Sequence, residues 1–151
     1  MMSKSLWAEI IKDFYEMDIP KAIERDINCP LELPIKRALS IIGPRRSGKT
    51  YLMFQLIGEL IKKNIRRDRI LYINFEDSRI LNPDVEDLNA MLETFFEIYP
   101  ENRKKKIWFF LDEVQNVWGW EKFVRSLLDK GNIYVYITGS SSKLLSKEIS
   151  T

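Results

Sequence analysis

The chain contains no histidine, and Cys29 is its only cysteine. A histidine-ligated metal centre and any histidine-based catalytic triad are therefore excluded. An intramolecular disulfide framework is excluded as well, which fits a reducing compartment. The sequence also lacks an apolar run of about 18 residues and a basic-then-apolar leader, so neither a membrane span nor a signal peptide is expected. No sign of charge predominates: 24 Lys and Arg face 22 Asp and Glu, a formal net charge of +2. That near-balance makes no electrostatic case for nucleic acid or membrane as a partner. Of 151 residues, 45% are hydrophobic and 30% charged, enough for one soluble domain with a real core. A cytoplasmic location is the expectation.

What is present is a regular alternation of segments, without internal repeats or a long linker. The stretch "SLWAEIIKDFYEMD" sets Leu6, Ile10, Ile11 and Phe14 near helical spacing and predicts a helix ended before Pro20. Residues 19 to 37 predict a helical turn followed by an irregular approach. "ALSIIG" reads as a short apolar strand. Leu52, Met53, Leu56, Ile57, Leu60 and Ile61 then form a stripe at spacings of three and four, a helix with one buried face.

"RILYINF" (69 to 75) is rich in β-formers and predicts a second strand. Val85, Leu88, Met91, Leu92, Phe95, Phe96 and Tyr99 predict another helix, ended at Pro100. "IWFFLDE" (107 to 113) is a near-continuous apolar run closed by two carboxylates. A short helix around Glu121 to Asp129 and the strand of "NIYVYITGSSS" complete the pattern. Strands apolar throughout imply a parallel sheet covered on both faces. The expectation is an α/β core over residues 38–151 with an N-terminal helical extension over residues 1–37.

Three places carry chemistry. Gly43, Pro44, Arg45, Arg46, Ser47, Gly48, Lys49 and Thr50 fit G-x-x-x-x-G-K-[ST] at every fixed position, between a strand and a helix. Glycines allow backbone amides to approach an anion closely, and the following helix start adds its own N–H groups. Lys49 is placed to reach the outer phosphates, and the Thr50 hydroxyl to be a Mg²⁺ ligand. The nucleotide-binding set extends to Tyr51. Arg45 and Arg46 sit in the variable part of the loop, where a solvent-facing orientation is the plainer reading.

The second place is the end of "IWFFLDEV". So apolar a strand has no structural need to finish in Asp112-Glu113, and an acidic group there faces the ligand crevice. Asp112 is expected to hold Mg²⁺ directly or through water. Glu113 is expected to polarise the attacking water. The third place is "YVYITGSS", where Ser140, ahead of Thr138, is the candidate to orient water near the terminal phosphate. Turn chemistry explains Gly139 and the serines equally well. No Asn-Lys-x-Asp guanine reader and no Arg-rich lid occur, so ATP hydrolysis is preferred over GTP hydrolysis or kinase chemistry.

Together "GPRRSGKT", "YINFED", "FLDEVQNVWGWEKFVRSLLDKG" and "ITGSSSKLLSKEIST" resemble the archaeal and bacterial ATPases of the AAA+ superfamily, over residues 23 to 151. The resemblance implies the three-layer P-loop NTPase fold, a mostly parallel sheet with helices on both faces. It implies that the 133–138 strand lies between the phosphate-loop strand and the Asp112 strand. It also implies ATP and Mg²⁺ as ligands and Glu113 as the water-activating group. Catalysis would then rest on Glu113, Lys49 and Ser140.

Asn74, Glu76 and Asp77 fall on the family's "NFED"-like segment, where for Asp77 a site-shaping role and a hydrated strand end are equal readings. Family members continue past the equivalent of Thr151 with a lid and a C-terminal domain, so this sequence is expected to be an N-terminal fragment with weak turnover. A bare edge at the 39–43 strand would invite pairing between chains or homo-oligomerisation. The alternatives are an ATP-binding switch that scarcely hydrolyses, and a DNA-acting motor or mobile-element helper suggested by analogy alone. The basic clusters "RRDR" (66 to 69) and "RKKK" (103 to 106) read as solvated loops, the latter at the end of its strand away from the nucleotide. Trp118 and Trp120 read as packing for the short helix that follows, with a partner surface as the alternative that an exposed pair would favour.

Overall fold

The computed structural model describes residues 2–19, 30–34, 37–42 and 48–139. Four parallel strands, β1 (Leu39–Ile42), β2 (Ile70–Asn74), β3 (Ile107–Asp112) and β4 (Ile133–Gly139), form a sheet of order β1-β4-β3-β2. The expected placement of the 133–138 strand between the other two is therefore observed. Among the described residues β1 and β2 are the sheet edges.

The helices are α1 (Lys4–Glu16), α2 (Lys49–Lys62), α3 (Val85–Ile98) and α4 (Trp120–Asp129). Alternate strand residues feed two cores. Leu71, Ile73, Phe109, Leu111, Val135 and Ile137 pack with apolar residues of α1, α3 and α4. Tyr72, Trp108, Phe110 and Tyr136 pack on the other face with Met53, Phe54, Leu56, Ile57 and Leu60 of α2. Helices on both faces leave no face of these strands for water, which is why their sequences are apolar at consecutive positions. Each large side chain so buried stabilises the fold by roughly 1.5–3 kcal/mol relative to exposure.

Local chemistry sets the helix ends. Ser3 accepts the Leu6 amide at 3.2 Å and caps α1. Asp84 and Asp87 form a reciprocal capping box at the start of α3. The α1 residues Trp7, Ile10 and Ile11 join the α3–α4 core while Phe14 joins the opposite one. The N-terminal helix thus runs along the β2 edge and contributes to both faces.

One sequence expectation is corrected. The "RRDR" stretch is a clasp and not a solvated loop. Asp68 is buried, and its carbonyl accepts from Asn102 Nδ2 at 2.6 Å. Arg69 donates twice to the Lys106 carbonyl, at 2.9 and 2.8 Å, and lies over the Trp108 ring. Arg67 covers Phe14 and donates to the Met17 carbonyl. Guanidinium planes stack on aromatic rings and satisfy loop carbonyls together, which sequence charge alone does not reveal. In "RKKK" the chain is exposed, although Arg103 lies over Phe96 at 4.7 Å.

Candidate functional site

The carboxyl ends of the strands stand level: Ile42 is in register with Gly139, and Asn74 with Asp112. At this edge Gly48 adopts φ +87°, a left-handed backbone that favours glycine, and the chain turns into α2. Lys49 and Thr50 therefore sit in the first helical turn, directly beside the end of β3. Gly43 to Ser47 and Ser140 lie outside the described residues. Tyr51 is exposed on the first turn of α2.

Thr50 Oγ1 donates to Asp112 Oδ2 at 2.8 Å. Asp112 is only 1% exposed, so its charge must be met by donors from the protein. Three hydroxyls do this. Besides Thr50, the Tyr72 hydroxyl donates to Oδ2 at 2.7 Å and Thr138 Oγ1 donates to Oδ1. Burial, and then the neighbouring Asp112 charge, push the Tyr72 phenol far above its ordinary range, so it remains a donor.

Glu113 follows at φ +56°, ψ +48°, a left-handed conformation uncommon for a residue with a side chain. Strain of this kind persists where surrounding bonds over-determine it. Here the Glu113 amide donates to Thr138 Oγ1 at 2.9 Å, and its carbonyl accepts from Asn116 Nδ2 at 3.1 Å. The same Thr138 hydroxyl thus accepts from Glu113 and donates to Asp112, which ties the two acidic residues to β4.

The Glu113 carboxylate lies between two donors. Lys49 Nζ is 3.4 Å from Oε1, and Gln115 Nε2 donates to Oε2 at 2.8 Å. Lys49 also donates to the Gly139 carbonyl at 2.9 Å. A buried ammonium and two buried carboxylates hence lie together at the carboxyl edge of the sheet.

Thr50 and Asp112 are hard oxygen donors brought side by side, which fits Mg²⁺ with the rest of its shell made of water and phosphate. Among the described residues no cluster of three or more Asp, Glu, Cys or His exists that would suggest an all-protein metal cage.

The structure brings together Lys49, Thr50, Asp112 and Glu113, as the spacing of the motifs predicts. It adds Tyr72 and Gln115. Thr138, ranked behind Ser140 on sequence, is the buried hydroxyl that binds both acidic residues. Gln115 had a signal in its distance of two residues from Glu113. Tyr72 had none, since only the β2–β3 register puts it near Asp112.

In the "NFED" segment Asn74 and Glu76 are exposed at the end of β2, while Asp77 makes an ion pair. Asn74 Oδ1 accepts the Glu76 amide at 2.9 Å and closes a turn. Asp77 pairs with Arg79 at 2.8 Å, and Arg79 reaches Asp13 of α1 at 2.7 Å. Asp77 therefore anchors the N-terminal helix. Of the two tryptophans, Trp120 is buried at 2% exposure while Trp118 is 79% exposed.

A family model described as an AAA domain matches residues 35–151. An uncharacterised protein of Methanocaldococcus jannaschii is 46% identical over 149 residues, covering 98% of this chain and 31% of that protein. An uncharacterised protein of Haemophilus influenzae is 38% identical over 112 residues, 74% of this chain and 27% of its own length. The chain thus spans less than a third of the length of these curated relatives. No solved structure matches. No helix among the described residues is long and apolar enough to cross a membrane.

Proposed function

The chain belongs to the AAA domain family, and from that premise we propose that it binds and hydrolyses Mg-ATP at the mouth of the sheet between α2 and β3. An AAA domain is a nucleotide-binding, ATPase-type domain. The observation that carries the finer reading is the 2.8 Å bond from Thr50 to Asp112, which joins the helix behind the glycine loop to the acidic end of β3.

Each residue then has a task. The loop from Gly43 to Gly48 and the amides opening α2 surround the phosphates. The Lys49 ammonium offsets charge on the outer phosphates, exchanging its contact with Glu113 for one with phosphate oxygen. Thr50 and Asp112 hold Mg²⁺, which when bound neutralises charge on the phosphates. Glu113 accepts a proton from water as the water oxygen bonds to the terminal phosphorus and the bond to the ADP oxygen breaks. Thr138 keeps the two acidic groups at fixed separation. Nucleotide state is relayed to an effector domain or partner.

A second reading is a nucleotide-gated switch that binds ATP and scarcely hydrolyses it. The engagement of both Glu113 carboxylate oxygens, by Lys49 and by Gln115, favours it. Phosphate release from Mg-ATP across a protein concentration series, with Glu113→Gln as control, separates the two. Release that depends on Glu113 supports hydrolysis, and a specific rate that rises with concentration adds subunits that complete one another. ATP binding without release at any concentration supports the switch. No ATP binding at all would refute both.

A further inference from the structure

Tyr72 belongs to neither the glycine loop nor the acidic strand end, yet its hydroxyl shares Asp112 Oδ2 with the Thr50 hydroxyl. In register Tyr72 faces Phe110, two residues before Asp112. The side chain therefore reaches Asp112 along the diagonal of the parallel pair, a distance that suits an aromatic ring with a polar tip.

The ring is held from two directions. Phe54 of α2 lies 4.7 Å from it between centroids, and Phe14 of α1 lies 6.1 Å away. A buried phenol needs some acceptor, and any backbone carbonyl would satisfy it. This one is instead spent on a carboxylate already bonded by Thr50 and Thr138. Three hydroxyls from three elements determine the plane of that carboxylate as well as its charge.

We propose that Tyr72 is a positioning residue for the Mg²⁺-holding carboxylate, so that the edge strand β2, braced by α1 and α2, sets the metal affinity of the site. The inference rests on the reading of Thr50 and Asp112 as the Mg²⁺ holders.

Tyr72→Phe tests it, since the change keeps the ring contacts and removes one donor. Mn²⁺ serves as the probe, its binding followed by electron paramagnetic resonance in the presence of ADP. Tyr72→Phe is expected to weaken Mn²⁺ binding about tenfold, the lower end of what loss of a partner to a ligand costs. ADP binding in EDTA is expected to be unchanged. Phe14→Leu, which loosens the packing and leaves the hydroxyl, is expected to lower the melting temperature and leave Mn²⁺ affinity alone.

Unchanged Mn²⁺ affinity in Tyr72→Phe overturns the assignment. An equal loss in Phe14→Leu also overturns it, because packing would then account for the effect. Absence of ADP-dependent Mn²⁺ binding in the wild type would instead count against the Mg-ATP reading itself.

Discussion

Thr50 Oγ1 stands 2.8 Å from Asp112 Oδ2 across a separation of 62 residues. The contact exists because α2 begins at the carboxyl edge of β1, and one intervening strand, β4, spaces that edge from β3. The Thr50–Asp112 pair is thus a product of strand order.

This predicts different losses for adjacent residues. Lys49→Ala is expected to lower ATP affinity about 100-fold or more, since a buried cation matched to phosphate is removed. Thr50→Ala is expected to keep ADP binding in EDTA and lose most of the gain that Mg²⁺ brings. Titration calorimetry with and without Mg²⁺ reads both, and equal ATP affinity of wild type and Lys49→Ala would sink the site assignment.

Gln115 holds Glu113 from the side opposite Lys49. If Glu113 is the base, Gln115→Leu removes one of the two donors that orient it and is expected to reduce kcat about tenfold with KM unchanged, because a misplaced base slows chemistry without weakening binding. A rise in KM at constant kcat would assign Gln115 to nucleotide binding instead.

Gly119 adopts φ +78°, and a Cβ there would lie 2.7 Å from Val85 Cγ2 at the start of α3. Gly119→Ala combines that clash with a left-handed backbone, and is expected to cost about 1–3 kcal/mol of stability. Urea denaturation measures it. A loss below the scatter of surface substitutions would show that the α3 and α4 starts can separate freely.

Arg79 holds the Asp77 carboxyl below its ordinary value near 3.8, chiefly through their hydrogen bond. The folded chain therefore takes up that proton less readily than the unfolded one. The resulting stability is complete above the unfolded value and is lost as pH falls through the lowered folded one. Partial exposure of both side chains limits it to about 1 kcal/mol. Asp77→Asn is expected to lie that far below the wild type at pH 7, with the gap closing toward pH 3, as followed by denaturation at each pH. A gap that stays constant over that range would remove the ion pair as its cause.

Much of the molecule was legible from residues alone. Consecutive apolar positions in "IWFFL" announced a strand covered on both faces, and the stripe from Leu52 to Ile61 announced the helix behind the loop. Lys49 and Thr50 were legible from the fixed spacing of the glycine-loop pattern, and Asp112 and Glu113 because charges at the end of an apolar strand need a reason. "RRDR" misled, since the guanidinium groups of Arg67 and Arg69 lie over aromatic rings and donate to carbonyls 50 and 37 residues away in sequence.

Local pattern, then, determined the elements, the order of the motifs and the candidacy of Lys49, Thr50, Asp112 and Glu113, because periodicity and residue chemistry act over a few positions. Tertiary structure alone decided that Tyr72 reaches Asp112, that Thr138 binds both acidic groups and that Asp77 serves α1. Those contacts depend on strand register and on which helix lies against which edge. Both are set by how the whole chain buries its apolar surface, and no short stretch of residues contains that information.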